Sequence, residues 1–196
     1  LLADKMHQIR KEKANELSQK INKELTELEM KNAKFNVKVE YNDKEFFNKN
    51  GLDEIEFLIS TNIGEEEKPL IKIASGGEMS RIMLAIKSVL SEVDKIPTLI
   101  FDEIDTGISG IAAKSVGSKM KKISKNHQIL CITHLANIAA QGTYNYYISK
   151  AIEDNKTRTK VEKLNEEGTI KEIARIASGD INEVSIQHAK QLRMAV

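Results

Sequence analysis

The stretch "TLIFDEIDTGISG", residues 98–110, decides how the chain folds. A short apolar run ends here in three closely spaced carboxylates, Asp102, Glu103 and Asp105. Such a run is typical of a buried strand, whereas carboxylates are costly to bury unless they are paired or hydrogen-bonded. The stretch therefore predicts a strand that ends at a polar site, and the rest of the chain must indicate what that site does.

Alternating apolar and helical patterns predict the architecture around this strand. "TLIF" and "QILCIT" are typical of buried strands, and residues 110–125 and 135–141 have the patterns of the helices that follow them. Uninterrupted apolar strands that alternate with helices indicate a parallel sheet covered on both faces. The predicted fold class is therefore α/β.

The remaining segments carry weaker patterns. Residues 2–30 contain no Gly or Pro and predict one helix; its second half bears an apolar stripe, and its first half has few apolar residues. We expect the second half to dock on a globular body and the first half to be solvated or paired with an absent helix. Further predicted elements are strands at 35–41 and 55–60 joined by a loop around Gly51, a strand "LIKIA", a helix at about 77–91, a hairpin from "YNYYISK" and "TRTKVEKL", and helices at about 169–178 and 182–194.

The composition fits a globular domain with an appendage. The 196 residues are 40% hydrophobic and 30% charged, and the net charge of +1 gives no overall field toward nucleic acid or membrane. No stretch is long and apolar enough for a membrane span, and no signal peptide is evident, so we expect a cytoplasmic protein. The chain starts without Met in a helical segment, so we expect a piece of a longer protein, with 1–30 as the end of an arm and 31–196 as the globular part.

Polar side chains follow two neighbouring predicted strands. Asp102 and Glu103 end one strand, and His134 ends "QILCITH". Ligands of open parallel sheets bind outside the carboxyl ends of the strands, so these side chains should face one crevice. In an NTPase, a strand-end Asp holds magnesium and an adjacent carboxylate orients or deprotonates the attacking water. The alternative is that the acids cap the next helix or form surface ion pairs.

A second motif, "IASGGEMSR" at residues 73–81, precedes the helix predicted at 77–91. Ser75 and Glu78 have the spacing of a capping box. A capping box needs no glycines, however, and the adjacent Gly76 and Gly77 would expose backbone N–H groups at the positive end of a helix dipole. The motif therefore also predicts an anion site.

Taken together, these motifs resemble those of the ABC-type ATPases. "SGGE" opening a helix, "LIFDE", Asp105 in the following turn and a His at the end of the next strand correspond to the signature motif, the Walker B strand, the D-loop and the switch histidine. Within that superfamily, "KIASGGEMSRIMLAIKSVL" and "PTLIFDEIDTGISG" resemble the SMC-like proteins of bacterial DNA double-strand-break repair. The resemblance implies the C-terminal half of a P-loop ATPase head, with a largely parallel sheet, flanking helices and an N-terminal helix from a coiled-coil arm.

The resemblance also assigns roles to residues. Asp102 would bind Mg²⁺, Glu103 would be the catalytic base, and His134 would sense the γ-phosphate of ATP. Asp105 would contact a facing subunit. The signature residues would bind ATP held by a second head, because two heads of this family enclose two nucleotides; they are Ser75, Gly76, Gly77 and Glu78.

The phosphate-binding loop of such ATPases is missing from the sequence. No G-x-x-x-x-G-K-[ST] motif occurs, and no Gly is followed by Lys. The resemblance implies that an N-terminal P-loop half supplies this loop, so we expect the chain to be inactive in ATP hydrolysis by itself. Its expected partners are that half, a second head in a homodimer, and, by resemblance only, DNA at the nucleoid.

Two other readings of these motifs stay open. "DEID" also fits the D-E-x-D pattern of helicases, although "ITH" stands where a helicase would have a Ser-Ala-Thr element. A coiled-coil scaffold whose head only dimerises would explain residues 2–30 but not the strand-end acids and histidine.

Two weaker features have plain structural explanations. The lysines of residues 110–125 could meet DNA phosphates or form a solvated helix face. Cys131 lies within an apolar strand and is predicted to be a buried residue with a raised thiol pKa rather than a nucleophile.

Overall fold

A computed structural model of the chain describes residues 1–41, 50–153 and 156–195. The elements in chain order are α1 (Leu2–Glu27), β1 (Lys34–Tyr41), β2 (Asp53–Ser60), β3 (Lys68–Pro69), a 3₁₀ turn (Leu70–Lys72), α2 (Gly76–Leu90), β4 (Thr98–Phe101), α3 (Gly110–Ile123), β5 (Gln128–Cys131), α4 (Ala136–Ala139), β6 (Tyr146–Glu153), β7 (Lys156–Lys163), α5 (Glu166–Ser178) and α6 (Glu183–Met194). None of these helices is long and apolar enough to cross a membrane.

The two apolar runs form a parallel pair, as predicted. In the β4–β5 register Ile100 lies opposite Leu130, and the neighbouring Leu99 and Phe101 point to the other face and are buried. The expected cover on both faces is absent within the described chain, because Ile100 is 68% and Leu130 46% exposed. All other strand pairings among the described residues are antiparallel, so the parallel part of the fold is smaller than the sequence predicts.

The main core lies between the buried face of β4, helices α2 and α3, and the second half of α1 with β1. α1 contributes Ile21 and Leu25, and Leu28 follows at its end; all three are fully buried, as the apolar stripe predicts. The other large side chains of this core that are fully buried are Phe35, Ile59, Ile82, Leu84, Ile104, Val116 and Ile123. This core supports the strand end at which the predicted site begins.

The first half of α1 also contacts the globular body, in contrast to the expectation that it is solvated or paired with an absent helix. The Asp53 carboxylate at the start of β2 accepts hydrogen bonds from Arg10 (2.8 Å) and His7 (2.6 Å), and its side chain is 1% exposed. The local pattern of α1 does not show this, because the contact is polar and its partner lies more than forty residues away.

The segment "LIKIA" is not the strand that its apolar residues predict. β3 pairs with β2 only through Lys68 and Pro69, after which Leu70–Lys72 form a 3₁₀ turn with Ile71 88% exposed. Proline has no N–H to donate to a ladder, which explains why the pairing ends there.

The C-terminal region has the predicted elements. β6 and β7 form an antiparallel hairpin, with Ile148 opposite Val161. α5 and α6 pack with α4 around a small second core that includes Ile173, Ala174 and Ala189. The predicted Gly51 loop between β1 and β2 lies largely at residues 42–49, outside the described residues, as do residues 154 and 155 between β6 and β7.

Substituting Asp53 by Asn tests the contact that fixes the first half of α1. The change leaves Arg10 and His7 without a charged acceptor, so we expect a loss of about 1.5–3 kcal/mol in the free energy of unfolding, measured by urea titration. The control is Glu16→Gln, which removes an exposed carboxylate of α1 paired with Lys13 and Lys20 and should leave the midpoint nearly unchanged. Equal midpoints for Asp53→Asn and the wild type would contradict the assignment.

The same carboxylate should make stability depend on pH. Burial alone raises the pKa of Asp53, but the hydrogen bonds from Arg10 and His7 outweigh burial and hold this pKa below its ordinary value. A lowered folded-state pKa stabilises the fold at pH values above the ordinary Asp range, and this contribution is lost as the pH falls through the folded-state pKa. The stability difference between wild type and Asp53→Asn should therefore shrink in acid titrations below about pH 4.

Candidate functional site

The turn at residues 102–107, which follows β4, carries the three predicted carboxylates. The amide of Thr106 donates to the carbonyl of Glu103 (3.1 Å), and the amide of Glu103 donates to the Asp102 carboxylate (2.9 Å). Glu103 has a φ of +55°, a left-handed conformation that is uncommon for a residue with a side chain. The turn therefore holds a strained residue at the position predicted to be the catalytic base.

The first turn of α2 packs directly against this turn. Ser75 caps the helix, since its Oγ accepts from the amide of Glu78 (3.4 Å), which confirms the serine half of the predicted capping box. Gly77 is buried, and a Cβ at this position would lie 3.0 Å from the Thr106 carbonyl oxygen and 3.1 Å from that of Glu103. A glycine is needed at residue 77 because two backbones meet there.

The carboxylate of Glu103 lies beside Gly76. A Cβ built at Gly76 would be 2.3 Å from Glu103 Oε2. The first N–H groups of a helix have no partners within the helix and attract negative charge, so this placement suits an anionic group. The predicted anion site at the start of α2 thus lies next to the predicted base, and the Glu103 carboxylate itself is the anionic group nearest to Gly76.

Two side chains of α2 bind the backbone of the turn. Arg81 Nη1 donates to the carbonyls of Thr106 (2.8 Å) and Ile104 (3.2 Å), and Ser80 Oγ donates to that of Asp102 (2.8 Å). Arg81 is 7% exposed, and burial lowers the pKa of its guanidinium. A buried cation that donates to two carbonyls fixes where the turn lies relative to α2.

Asp105 connects the turn to the end of β5. Its Oδ2 accepts from Thr133 Oγ1 (2.6 Å) and from the His134 amide (2.8 Å), and it lies 3.1 Å from His134 Nδ1. The Asp105 residue is 3% exposed, whereas the His134 side chain is 71% exposed. Asp105 therefore fixes the backbone and one ring nitrogen of His134, and the rest of the imidazole faces outward.

The residues around Asp102 allow only part of a metal site. Asp102 is exposed at the end of β4, and no group of three His, Cys, Asp or Glu side chains converges on a possible ion position within the described ranges. Carboxylate oxygen is a ligand that Mg²⁺ prefers, and magnesium commonly takes its other ligands from water and substrate phosphates. Asp102 could therefore supply one ligand of a magnesium ion whose other ligands come from water and phosphates.

Cys131 has the raised thiol pKa that its strand position predicts, but it is half-buried rather than fully buried. Burial, followed by the charges of Asp105 and Asp102, raises the pKa of its thiol to about 12. A thiol with such a pKa is almost fully protonated at neutral pH and is a poor nucleophile. Cys131 therefore does not have the lowered thiol pKa of a reactive cysteine.

All four sequence motifs meet at the 102–107 turn, but sequence reasoning missed three residues that hold them together. Ser80, Arg81 and Thr133 have no role in the predicted site. The burial of Arg81 could have been predicted from the sequence, because Arg81 lies four residues after Gly77 on the stripe of α2 that also buries Leu84 and Ala85. A charged residue within an apolar stripe indicates a specific buried partner.

Comparison with known proteins identifies relatives of the whole chain. No protein-family model matches the chain. A DNA repair protein RecN from Halalkalibacterium halodurans is 43% identical over 187 residues, which cover 94% of this chain and 33% of that protein. The chain spans about a third of the length of the curated relatives it matches, and the match lies in their C-terminal portion.

Solved structures show that the fold is that of an SMC head. An Smc head domain with a coiled coil and joint from Pyrococcus yayanosii has a TM-score of 0.58 at 20% identity, covering 87% of this chain and 30% of that one. A chain from a study of ATP-driven dimerization and DNA-stimulated activation of SMC ATPases has a TM-score of 0.52 at 19% identity, covering 89% of this chain and 99% of that one. The predicted fold class, half of an ABC/SMC-type head, is confirmed.

Alanine substitutions at Gly76 and Gly77 form a matched pair that tests the contact between α2 and the turn. At Gly77 the new methyl group would meet two backbone oxygens, so we expect a loss of about 1–3 kcal/mol in the free energy of unfolding. At Gly76 it would meet only the end of the flexible Glu103 side chain, and alanine favours the helix, so stability should stay the same or rise. Equal effects of the two variants in thermal denaturation would contradict the packing described.

Substitutions of Glu103 test whether its backbone conformation lowers the stability of the fold. Glycine adopts a positive φ without steric cost, so Glu103→Gly should raise the free energy of unfolding by about 1 kcal/mol or leave it unchanged. Glu103→Gln keeps the strained backbone and should match the wild type. A clear loss of stability in Glu103→Gly, measured by chemical denaturation, would show that the Glu103 side chain stabilises the fold by more than its backbone strain destabilises it.

Proposed function

The chain is a relative of the DNA repair protein RecN with the fold of an SMC head, and from this premise we propose that it supplies the C-terminal half of an ATPase site. The observation that carries the proposal is the convergence of the signature helix, the strand-end acids and His134 on one turn. Neither the helicase reading nor the scaffold reading explains why Gly77 packs against that turn while Asp105 binds the residue that ends the next strand.

Each side chain has a role that follows from its placement. Bound Mg²⁺ would offset the charge of the ATP phosphates, and Asp102, exposed at the end of β4, would be one of its ligands. Glu103 would act as the base toward water, since its backbone strain is characteristic of functional positions. His134 would present its outward ring nitrogen to the γ-phosphate while Asp105 holds Nδ1.

The signature residues would serve a second copy of the head. The first turn of α2, from Gly76 to Glu78, is an N-terminal helix end of the kind that binds phosphate. SMC heads are described as dimerising with ATP, and we extend that behaviour to this chain. The side chain of Asp105 is buried, so we assign it to positioning His134 in place of the predicted contact with a facing subunit.

An N-terminal P-loop half would complete the site by packing on the open face of β4 and β5. Ile100, Leu130 and Ile132 form an apolar patch there, with exposed fractions of 68%, 46% and 51%. Two strands alone are marginally stable, and the faces of parallel sheets are normally covered. A partner that adds strands and covers this patch would also bring the phosphate-binding loop to the ends of β4 and β5. We place the assembled protein in the cytoplasm, acting on DNA as its relatives' name indicates.

Complementation with a P-loop half from a RecN relative tests the proposal. The chain alone should show no ATP hydrolysis above background, and the co-expressed pair should show turnover. Glu103→Gln should lower the turnover of the pair by a factor of about 10²–10⁴, the usual contribution of a general base, without preventing co-purification. Ile100→Asp should prevent co-purification, because it places a charge in the apolar patch.

Two results of this experiment would count against the proposal. A pair that co-purifies but gains no ATPase activity would contradict the catalytic assignment. Turnover by the chain alone, lost on Glu103→Gln, would contradict the need for a P-loop half.

A further inference from the structure

A groove of about 400 Å³ runs between α3 and α4 and ends at the C-terminal turn of α6. Lysines line its α3 side, namely Lys114, Lys121, Lys122 and Lys125, and Gln141 and Leu192 lie on its other side. We call it the lysine groove. No Asp or Glu is among the residues that line it, although the chain as a whole is almost neutral. The groove is thus a local concentration of positive charge.

α3 directs its lysines to two different sides. Lys119 binds Glu24 (2.7 Å) and Glu27 of α1 and is thereby committed to the fold. The four lysines of the groove are exposed, and none of them takes part in an ion pair within the described part of the chain. Their charges are therefore available to a partner, whereas that of Lys119 is not.

Hydrogen bonds between the two walls of the lysine groove fix their relative position. The Gln141 side-chain amide donates to the carbonyls of Lys114 (3.2 Å) and Asn137 (3.4 Å). It also lies over Gly117, where a Cβ would be 2.4 Å from Gln141 Nε2. α3 and α4 are consequently fixed close together, and the lysines project from a preformed surface.

We propose that the lysine groove binds the phosphate backbone of duplex DNA. Lys114 and Lys122 are eight residues apart in α3, or roughly 12 Å at about 1.5 Å per helical residue, Lys121 lies beside Lys122, and Lys125 follows in the turn after the helix. Phosphates recur about every 3.4 Å along the axis for each strand of duplex DNA, so this stripe can meet several of them. An acidic protein segment would need apolar anchors as well, and Leu192 is the only large apolar side chain lining the groove in the described residues.

The proposal rests on the proposed function only in its choice of DNA as the polyanion. The surface itself is independent of the ATP site. α3 and α4 nevertheless begin shortly after the 102–107 turn and directly after His134, so a ligand in the groove would touch both helices that leave the site.

Binding of a fluorescein-labelled 25-bp duplex to the 196-residue chain, measured by anisotropy without nucleotide at 50–200 mM salt, tests the proposal. The test variant is K114Q/K121Q/K122Q, and the matched control is K5Q/K11Q/K23Q, which removes three exposed lysines from α1. We expect the groove variant to bind at least tenfold more weakly at 100 mM salt. Its slope of log affinity against log salt should be lower by about 2.5–3, since each lost phosphate contact contributes about 0.9. Circular dichroism should show that both variants fold as the wild type does.

The outcomes separate this proposal from its alternatives. Unchanged binding by the groove variant would overturn it, and so would equal weakening by the control, which would indicate general charge attraction. Tighter, lysine-dependent binding of poly-L-glutamate than of the duplex would assign the groove to an acidic protein instead. Because no nucleotide is present, a failed ATPase complementation would leave this result standing, and the reverse also holds.

Discussion

One buried guanidinium holds the turn after β4 against the first turn of α2. Arg81 donates to two carbonyls of the 102–107 turn, and Gly77 lets the two backbones meet beside them. The turn also carries the left-handed Glu103 and the buried Ile104, and Ser80 and Asp105 tie it to α2 and to the end of β5. Hydrogen bonds from a charged donor in a buried setting are among the stronger ones, so the strain at Glu103 can persist.

The position of His134 follows from the same turn. Asp105 is three residues beyond Asp102, and its carboxylate accepts from Thr133 and from His134. A displacement of the turn would therefore move His134, and a force on His134 would act on the turn that carries Glu103. The acid and imidazole groups form one mechanical unit whose parts are contributed by two neighbouring strands and a helix.

The sequence was sufficient for the parts of this unit that leave a local pattern. The apolar runs of β4 and β5, the glycines of α2 and the strand-end positions of Asp102, Glu103 and His134 all follow from periodicity and spacing. The pairing of Asp105 with His134, of Arg81 with the turn and of Asp53 with Arg10 depends on distant segments that only the tertiary fold brings together. The prediction of a strand at "LIKIA" was wrong for a related reason. Its apolar residues predict pairing, but Pro69, directly before the segment, has no N–H to donate to a strand ladder.

The exposed apolar face of β4–β5 shows that this two-stranded sheet is covered on one side only by the described part of the chain. Leu99 and Phe101 complete the core on one side, yet the alternate residues Ile100 and Leu130 remain open on the other. The β6–β7 hairpin is more open still, because every residue of β7 is exposed, and the cross-strand pair Ile148 and Val161 is exposed at 54% and 64%. Apolar residues that alternate with buried ones on a strand have no stabilising role unless a second layer covers them. The residues that would carry the chemistry lie at the edge of this uncovered layer, so the contacts that complete the sheet would also be those that complete the site.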